Sequence, residues 1–128
     1  MLKVKFCVWA KSATIDSLTD MLSVGNILEG IVATKFPAIV IDTRFVALIE
    51  RNILKDPQII KGGLNIMFND KKISETKIEI DFKDLPRNRI IITIPAMLFD
   101  KEGIITFNIL ANNKKIGYYE TDIIKAIS

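Results

Sequence analysis

Apolar and polar residues alternate with a period of two along most of the chain. The clearest case is TKIEIDFKD, where Ile78, Ile80 and Phe82 share one side and charged residues share the other. Successive side chains of a strand point to opposite faces, so this pattern predicts a strand with one buried face. The same alternation predicts further strands in LKVKFCVW, AIVIDTRFVALIERN, GLNIMFND, RNRIIITIP and ITFNILANNKKIGYYETDII.

Residues that favour turns separate these segments at short intervals. Asn112–Asn113 lies between two apolar runs, and asparagine tolerates the positive φ that a two-residue hairpin requires. Asn69–Asp70 and Lys101–Gly103 predict two more turns. Helix signals are weak, and only 12–22 and 122–127 could hold a short helical turn.

The spacing of strands and turns indicates a fold class. About seven to nine short strands predict an all-β chain, a two-layer antiparallel sandwich of the Greek-key or jelly-roll kind. The chain has 128 residues, which is the length of one ordinary domain, and 49% of them are apolar. We therefore expect a single sandwich domain over residues 1–128 with its own core.

Strict alternation also predicts which side chains face outward. In the first strand, Val4, Phe6 and Val8 would face the core, while Lys3 and Lys5 would lie on the opposite face. Large apolar side chains that alternation places on outer faces are Trp9, Met67 and Ile91. Such residues indicate a second layer, a covering loop or a partner surface.

The stretch VGNILEGIV places Gly25 and Gly30 within an apolar run. A loop that binds nucleotide phosphates would have a lysine and a hydroxyl residue directly after the second glycine, followed by a helix. Here Ile31, Val32 and Ala33 follow Gly30 and continue a strand pattern. We therefore expect a bulge or a close backbone approach in one curved strand rather than a phosphate site.

The same stretch carries a resemblance to a known family. An apolar first strand, a polar connection, VGNILEGIVATKFPA, a long alternating strand and a closing hairpin follow one another, with Gly25 and the Phe36–Ala38 corner as the specific residues. This order resembles a bacterial family of small all-β proteins of uncharacterised function, over most of the chain. Asn26 stands where a second glycine is expected. The resemblance implies a small sandwich or barrel and brings no activity, cofactor or catalytic residue.

The inventory of reactive side chains argues against most classes of enzyme. The chain has no histidine, so triads, dyads and metal sites that use imidazole are excluded. Cys7 lies in the first strand with no base near it in the sequence, which is typical of an inert buried thiol. The carboxylate pairs at 16/20, 81/84 and 100/102 form no dense acidic loop for calcium. We therefore expect no enzyme, no cofactor and no metal site.

Basic and aromatic residues at predicted turns and strand ends supply an alternative site. These candidate anion-binding residues are Lys71, Lys72, Arg87, Arg89, Lys114, Lys115, Tyr118 and Tyr119. Two or three of the basic clusters would meet at one end of a sandwich, where a tyrosine could stack on a base. Against this, lysines at turns commonly serve solubility, and a formal charge of +3 alone does not indicate nucleic acid.

The start of the chain, MLKVKFCVWAKSA, has lysines at positions 3, 5 and 11 that interrupt the apolar core of a signal peptide. No later run reaches the roughly 18 apolar residues of a membrane-spanning helix. With one cysteine, no disulfide can form within the chain. We expect a cytoplasmic protein without a membrane partner.

Two hypotheses for function follow. The first is a non-enzymatic module that binds a protein partner or a second copy of itself as a homodimer, through an outer apolar face with Trp9, Met67 and Ile91. The alternative is binding of nucleic acid or a phosphorylated small ligand through the basic turns. An enzyme that uses only carboxylates, tyrosine and lysine has no sequence feature to favour it.

Overall fold

The computed structural model describes residues 1–127, and within that range it contains strands, turns and loops but no helix. The strands are β1 (Lys3–Ile15), β2 (Leu22–Ile27), β3 (Ile31–Ala33), β4 (Ala38–Val40), β5 (Thr43–Glu50), β6 (Ile59–Phe68), β7 (Lys71–Asp81), β8 (Arg87–Ile94), β9 (Met97–Phe99), β10 (Gly103–Ala111) and β11 (Lys114–Lys125). The predicted all-β, sandwich-like class is confirmed. Over the described range, no helix is long and apolar enough to cross a membrane.

The strands form two main sheets with a shared core between them. Sheet A has the strand order β2-β1-β5-β8, and sheet B has the order β3-β11-β10-β6-β7. The short strands β4 and β9 form a separate pair. Neighbouring strands are antiparallel except for β3, which pairs with β11 in parallel.

Strands β1 and β11 bring the two sheets together along one side. A Cβ at Gly117 would lie 2.8 Å from Cγ2 of Val4, so any larger residue there would push the strands apart. Cys7 lies three residues after Val4 on β1, and its thiol donates a hydrogen bond to the Tyr118 carbonyl oxygen at 3.3 Å. The seam is therefore closed by direct contact between the sheets.

Two tight hairpins occur where the sequence predicts them. The β6–β7 turn has φ values of +50° at Asn69 and +65° at Asp70. The β10–β11 turn has φ values of +51° at Asn112 and +65° at Asn113. Positive φ at both central residues matches the right-handed twist of the flanking strands. Both turn predictions are confirmed.

The first strand departs from strict alternation. Its pairing with β5 shifts between Val4 and Phe6, so Lys5 is an inserted residue of a β-bulge. After the bulge, Trp9 faces the core and is 0% exposed, whereas Phe6 turns outward. The prediction that Trp9 lies on an outer face is wrong, because alternation does not register an inserted residue.

An aromatic cluster occupies the centre of the core. The ring of Phe107 on β10 lies 5.0 Å from that of Trp9 and 5.3 Å from that of Phe45, measured between centroids. The Trp9 indole nitrogen donates a hydrogen bond to Oγ1 of Thr43 at 2.9 Å, and both side chains are buried. Sheets A and B are thus joined by stacked and tilted rings, with the polar atom of the tryptophan satisfied.

Two predicted long strands are divided. Asp42 has a φ of +55° and separates β4 from β5, so Ile39 and Ile41 are 66% and 56% exposed instead of facing the core with Phe45. The stretch VGNILEGIV likewise contains β2 in sheet A and β3 in sheet B. Together with the short β9, these divisions give eleven strands within residues 1–127, above the predicted seven to nine.

At Gly25 the close neighbour is a side chain, whereas a bulge or a close backbone approach was expected. Gly25 pairs with Ser12, whose Oγ would lie 2.5 Å from a Cβ at position 25. The residues after Gly30 form β3 and not a helix. The segment therefore carries the chain from one sheet to the other, and it lacks the helix of a phosphate-binding loop.

The outer face of sheet A is partly covered by the chain itself. Residues 11–15 of β1, β2 and the turn between them form a hairpin arm, whose Asp20 accepts two hydrogen bonds from the Arg89 guanidinium. Val46 points outward from β5 yet is 0% exposed, and its neighbour Ile91 is half-buried. Met67 is half-buried on sheet B. The three predicted outer residues therefore form no common surface.

We expect Thr43→Val to lower the free energy of unfolding by about 1–3 kcal/mol, because valine keeps the shape of threonine but leaves the buried indole N–H without an acceptor. Urea unfolding followed by tryptophan fluorescence measures the change. Thr93→Val, at an exposed position of β8, is the matched control and should change stability by less than about 0.5 kcal/mol. A Thr43→Val protein as stable as its parent would contradict the role given to this hydrogen bond.

Candidate nucleic-acid interface

The predicted basic turns lie in three separate places. Lys71 and Lys72 begin β7, whereas Lys114 and Lys115 begin β11 at the opposite end of sheet B. Lys71 lies opposite Phe68 and Lys114 lies in the row of Gly62, so the two rows are six residues, or about 20 Å, apart along β6. Lys72 is also engaged in an ion pair with Glu75 at 3.0 Å. The first pair of lysines therefore does not join the second in one site.

The two arginines lie on sheet A, next to the hairpin arm. A groove of about 990 Å³ separates the arm from β5 and β8, with Phe6 and Leu48 among its apolar lining and Arg87 and Arg89 at its basic side. Nη1 and Nη2 of Arg89 bond the carbonyl oxygen and Oδ1 of Asp20 at 2.6 and 2.7 Å. Arg89 thus holds the arm in place, and Arg87 is the exposed one of the two.

The adjacent tyrosines of β11 face opposite ways. Tyr119 points inward, lies 6.4 Å from the Phe107 ring and donates its hydroxyl to the Leu28 carbonyl oxygen at 2.8 Å. Its burial raises the pKa of the Tyr119 hydroxyl. Tyr118 lies on the outer face of sheet B and is 58% exposed. Of the two predicted tyrosines, Tyr118 is the one that can stack on a ligand.

A lysine lies against the exposed tyrosine. Nζ of Lys115 is 4.5 Å from the centroid of the Tyr118 ring, which is within the range of a cation–π contact. The bulge in the β10–β11 pairing between Ile109 and Leu110 brings Lys115 opposite Leu110, on the same outer face. The side chains therefore present an aromatic surface and a positive charge next to each other.

Further lysines line the same face of sheet B. The strand register places Lys77, Gly63, Leu110 and Lys115 in one row across four strands. Lys61 precedes Gly63 by two residues on β6 and so shares its face. Among the ion pairs formed within residues 1–127, none involves Lys61, Lys77 or Lys115. These three lysines therefore form no salt bridge in this range, although Glu79 lies opposite Lys61 in the register.

Two consecutive glycines open a groove in this row. Gly62 and Gly63 leave a space of about 400 Å³ that is lined by Lys61 and Lys77 and by both asparagines of the β10–β11 turn. The amide nitrogen of Asn112 donates to the Lys61 carbonyl oxygen at 2.9 Å, which holds the turn against β6. The groove is thus bounded by hydrogen-bonding side chains, two lysines and one carboxylate, that of Glu75.

Sequence reasoning missed four residues of this face: Lys61, Lys77, Asn65 and Asn108. Asn65 and Asn108 lie directly opposite each other on β6 and β10, and both are half-buried. Asparagine is depleted in strands. Its presence at the centre of the predicted strands GLNIMFND and ITFNILA is therefore the sequence feature that marks Asn65 and Asn108 as unusual. The set Lys61, Asn65, Lys77, Asn108, Lys115 and Tyr118 is called the basic sheet face below.

The surroundings of Cys7 and of the carboxylates are those of structural side chains and not of a reactive site. Burial raises the pKa of the Cys7 thiol, which lowers the fraction of thiolate that could act as a nucleophile. Backbone N–H groups of Thr19 and Leu18 donate to Oδ1 of Asp16 and hold the pKa of that carboxyl below its ordinary value. Within residues 1–127 no group of three or more acidic or cysteine side chains is arranged to hold a metal ion.

Comparison with known proteins gives a likeness of fold. The chain matches no family model and no curated protein, so the resemblance to a bacterial all-β family stays a prediction. Among solved structures it is similar to Pseudomonas fluorescens alkylpurine DNA glycosylase AlkC bound to DNA containing an abasic site analog, with a TM-score of 0.53 and 10% identity. The match covers 96% of this chain and 30% of that one.

This comparison overturns one expectation from the sequence. The inventory of side chains predicted that the chain is not an enzyme, but its fold occurs within a DNA glycosylase. The inventory considered only catalytic groups that this chain could itself supply, whereas a β-sandwich can also serve an enzyme as one of its parts. At 10% identity the likeness concerns the fold alone.

Proposed function

We propose that the chain binds nucleic acid with the basic sheet face. The observation that carries the proposal is the contact between Lys115 and Tyr118, where the ammonium lies 4.5 Å from the centroid of an exposed ring. Because the Lys115 ammonium lies over one face of the ring, a base stacks on the face that the lysine leaves open, and the ammonium meets the neighbouring phosphate. The two side chains together match one nucleotide.

The charges around this contact support the proposal. Lys61, Lys77 and Lys115 are exposed and lie on one face without ion-pair partners among residues 1–127. The row from Lys77 to Lys115 crosses three strand intervals, or about 14 Å, so it can meet more than one phosphate. The solved complex of the DNA glycosylase adds support, since that protein is bound to DNA.

The structure removes the main observation behind the protein-interaction hypothesis. It depended on Trp9, Met67 and Ile91 as an outer apolar surface, but Trp9 is buried in the core. Met67 and Ile91 lie on different sheets, so these two side chains do not form one surface. The nucleic-acid alternative is therefore the function that the geometry favours.

We expect binding to a fluorescein-labelled DNA oligomer of mixed sequence, measured by anisotropy, that weakens steeply between about 50 and 200 mM salt. In the double variant Lys77→Ala/Lys115→Ala, the slope of log K against log salt should fall by about 1 for each lysine that binds a phosphate in the parent. The matched control is Lys71→Ala/Lys101→Ala, which removes two exposed lysines from the other end of sheet B.

The control variant should bind nearly as the parent does, because Lys71 lies six residues, or about 20 Å, from Lys77 along β7, and Lys101 precedes β10 at the same end of the sheet as Lys71. Equal losses of affinity in both double variants would indicate a diffuse charge effect and would contradict the assignment to this face. No binding at the lowest salt concentration would refute the proposal as a whole.

A further inference from the structure

We propose that the row Tyr118, Asn108 and Asn65 binds unpaired bases, so that the ligand of the basic sheet face is single-stranded. This inference rests on the proposed function and names the ligand class of the same site. In the register, Tyr118 lies opposite Asn108, and Asn108 lies opposite Asn65. The ring and the two amides therefore form one continuous row of about 10 Å across three strands.

The amides of this row have unmet hydrogen-bonding capacity. Oδ1 of Asn65 and Oδ1 of Asn108 are buried, and neither accepts a hydrogen bond from any group within residues 1–127. Buried polar atoms in proteins are nearly always paired, so two adjacent unpaired atoms need an explanation. Directly opposite residues on one face have Cβ atoms about 4.5–5.5 Å apart, which allows the two amides to interact.

A rotation of one amide about χ2 explains how the pair can serve a ligand. If Nδ2 of one asparagine turns toward Oδ1 of the other, that bond satisfies one buried oxygen, and the rotated amide turns its own oxygen toward solvent. The pair then presents an acceptor and a donor side by side on the outer face. Base edges carry donors and acceptors in the same close spacing, and asparagine commonly bonds them in this way.

The distribution of charge separates bases from phosphates. Glu75 lies opposite Asn65 at one end of the amide row, and Glu120, two residues after Tyr118 on β11, lies opposite Thr106 in the adjacent row. Lys72 pairs with Glu75 at 3.0 Å, and Thr106 donates to Glu120 at 3.2 Å, so both carboxylates have partners that hold them there. The amide row itself holds no lysine, whereas the row of Gly63 holds Lys77 and Lys115, so phosphates are favoured over the row of Gly63 even though Glu75 and Glu79 flank Lys77 on β7.

The lysines lie one row away. Lys77 and Lys115 occupy the row of Gly63, which is two residues from Asn65 along β6 and so about 7 Å from it. The nucleic acid therefore places its phosphates over the lysine row and its bases over the amide row. In a duplex the faces of the bases are stacked on each other and cannot reach Tyr118, so the ligand is single-stranded.

The experiment compares three labelled probes by anisotropy at low salt. They are a single-stranded DNA oligomer, the same oligomer annealed to its complement, and a single-stranded oligomer of equal length in which every nucleotide is abasic. The abasic probe keeps the phosphates and removes the bases. We expect the single strand with bases to bind roughly 5- to 150-fold more tightly than the abasic strand, and more tightly than the duplex.

Variants test whether the difference in affinity between the probes comes from the row of Tyr118, Asn108 and Asn65. Tyr118→Leu and the double variant Asn65→Ala/Asn108→Ala should reduce binding of the single strand toward that of the abasic probe, while binding of the abasic probe itself should not change. Tyr118→Phe keeps the ring and is the matched control for folding and for stacking. Thermal unfolding of each variant shows whether the sandwich is intact.

The outcomes distinguish this inference from the proposed function. A duplex or an abasic strand that binds as tightly as the single strand would overturn the inference and leave nucleic-acid binding in place. Asparagine variants that weaken the abasic probe as much as the single strand would also overturn it. If no probe binds at low salt, the proposed function fails and the inference fails with it.

Discussion

The packing of Phe107 against Trp9, Phe45 and Tyr119 is the constraint on which the rest of the structure depends. The ring of Phe107 lies between 5.0 and 6.4 Å from these three aromatic rings and so joins both sheets. Side chains alternate along a strand, and a shift of one residue would exchange the buried and exposed faces. With Phe107 and Tyr119 turned inward, Asn108 and Tyr118 must face outward. The aromatic core therefore also determines the composition of the basic sheet face.

The basic sheet face joins a charged edge strand to an inner strand that contains glycine and asparagine. Exposed strands commonly carry alternating charges that prevent association, and β7 at the edge of sheet B has this character. Inside the sheet, glycine and asparagine replace larger residues and leave a groove bounded by Lys61 and Lys77. A Cβ at Gly63 would lie 3.2 Å from the Thr76 carbonyl oxygen, so the close approach of β6 and β7 itself favours glycine there.

Alternation in the sequence was sufficient to predict the class of fold, the two tight hairpins and most of the buried side chains of β6, β7 and β8. It failed where one residue changes the phase: the bulge at Lys5 moved Trp9 into the core, and Asp42 divided a predicted strand. The site was predicted only in part. Lys115 and Tyr118 are close in the sequence, but their proximity to Lys77 depends on the order and register of strands, which alternation does not contain.

The most direct test of nucleic-acid binding by the basic sheet face is an NMR titration of the ¹⁵N-labelled protein with a short single-stranded DNA oligomer. The account predicts that the largest shifts occur at the backbone amides of Gly63 and Tyr118 and at the side-chain amides of Asn65 and Asn108. The signals of the hairpin arm around Asp20 should stay in place. Shifts concentrated beside Arg87 in the groove under the arm, or no shifts at low salt, would contradict it.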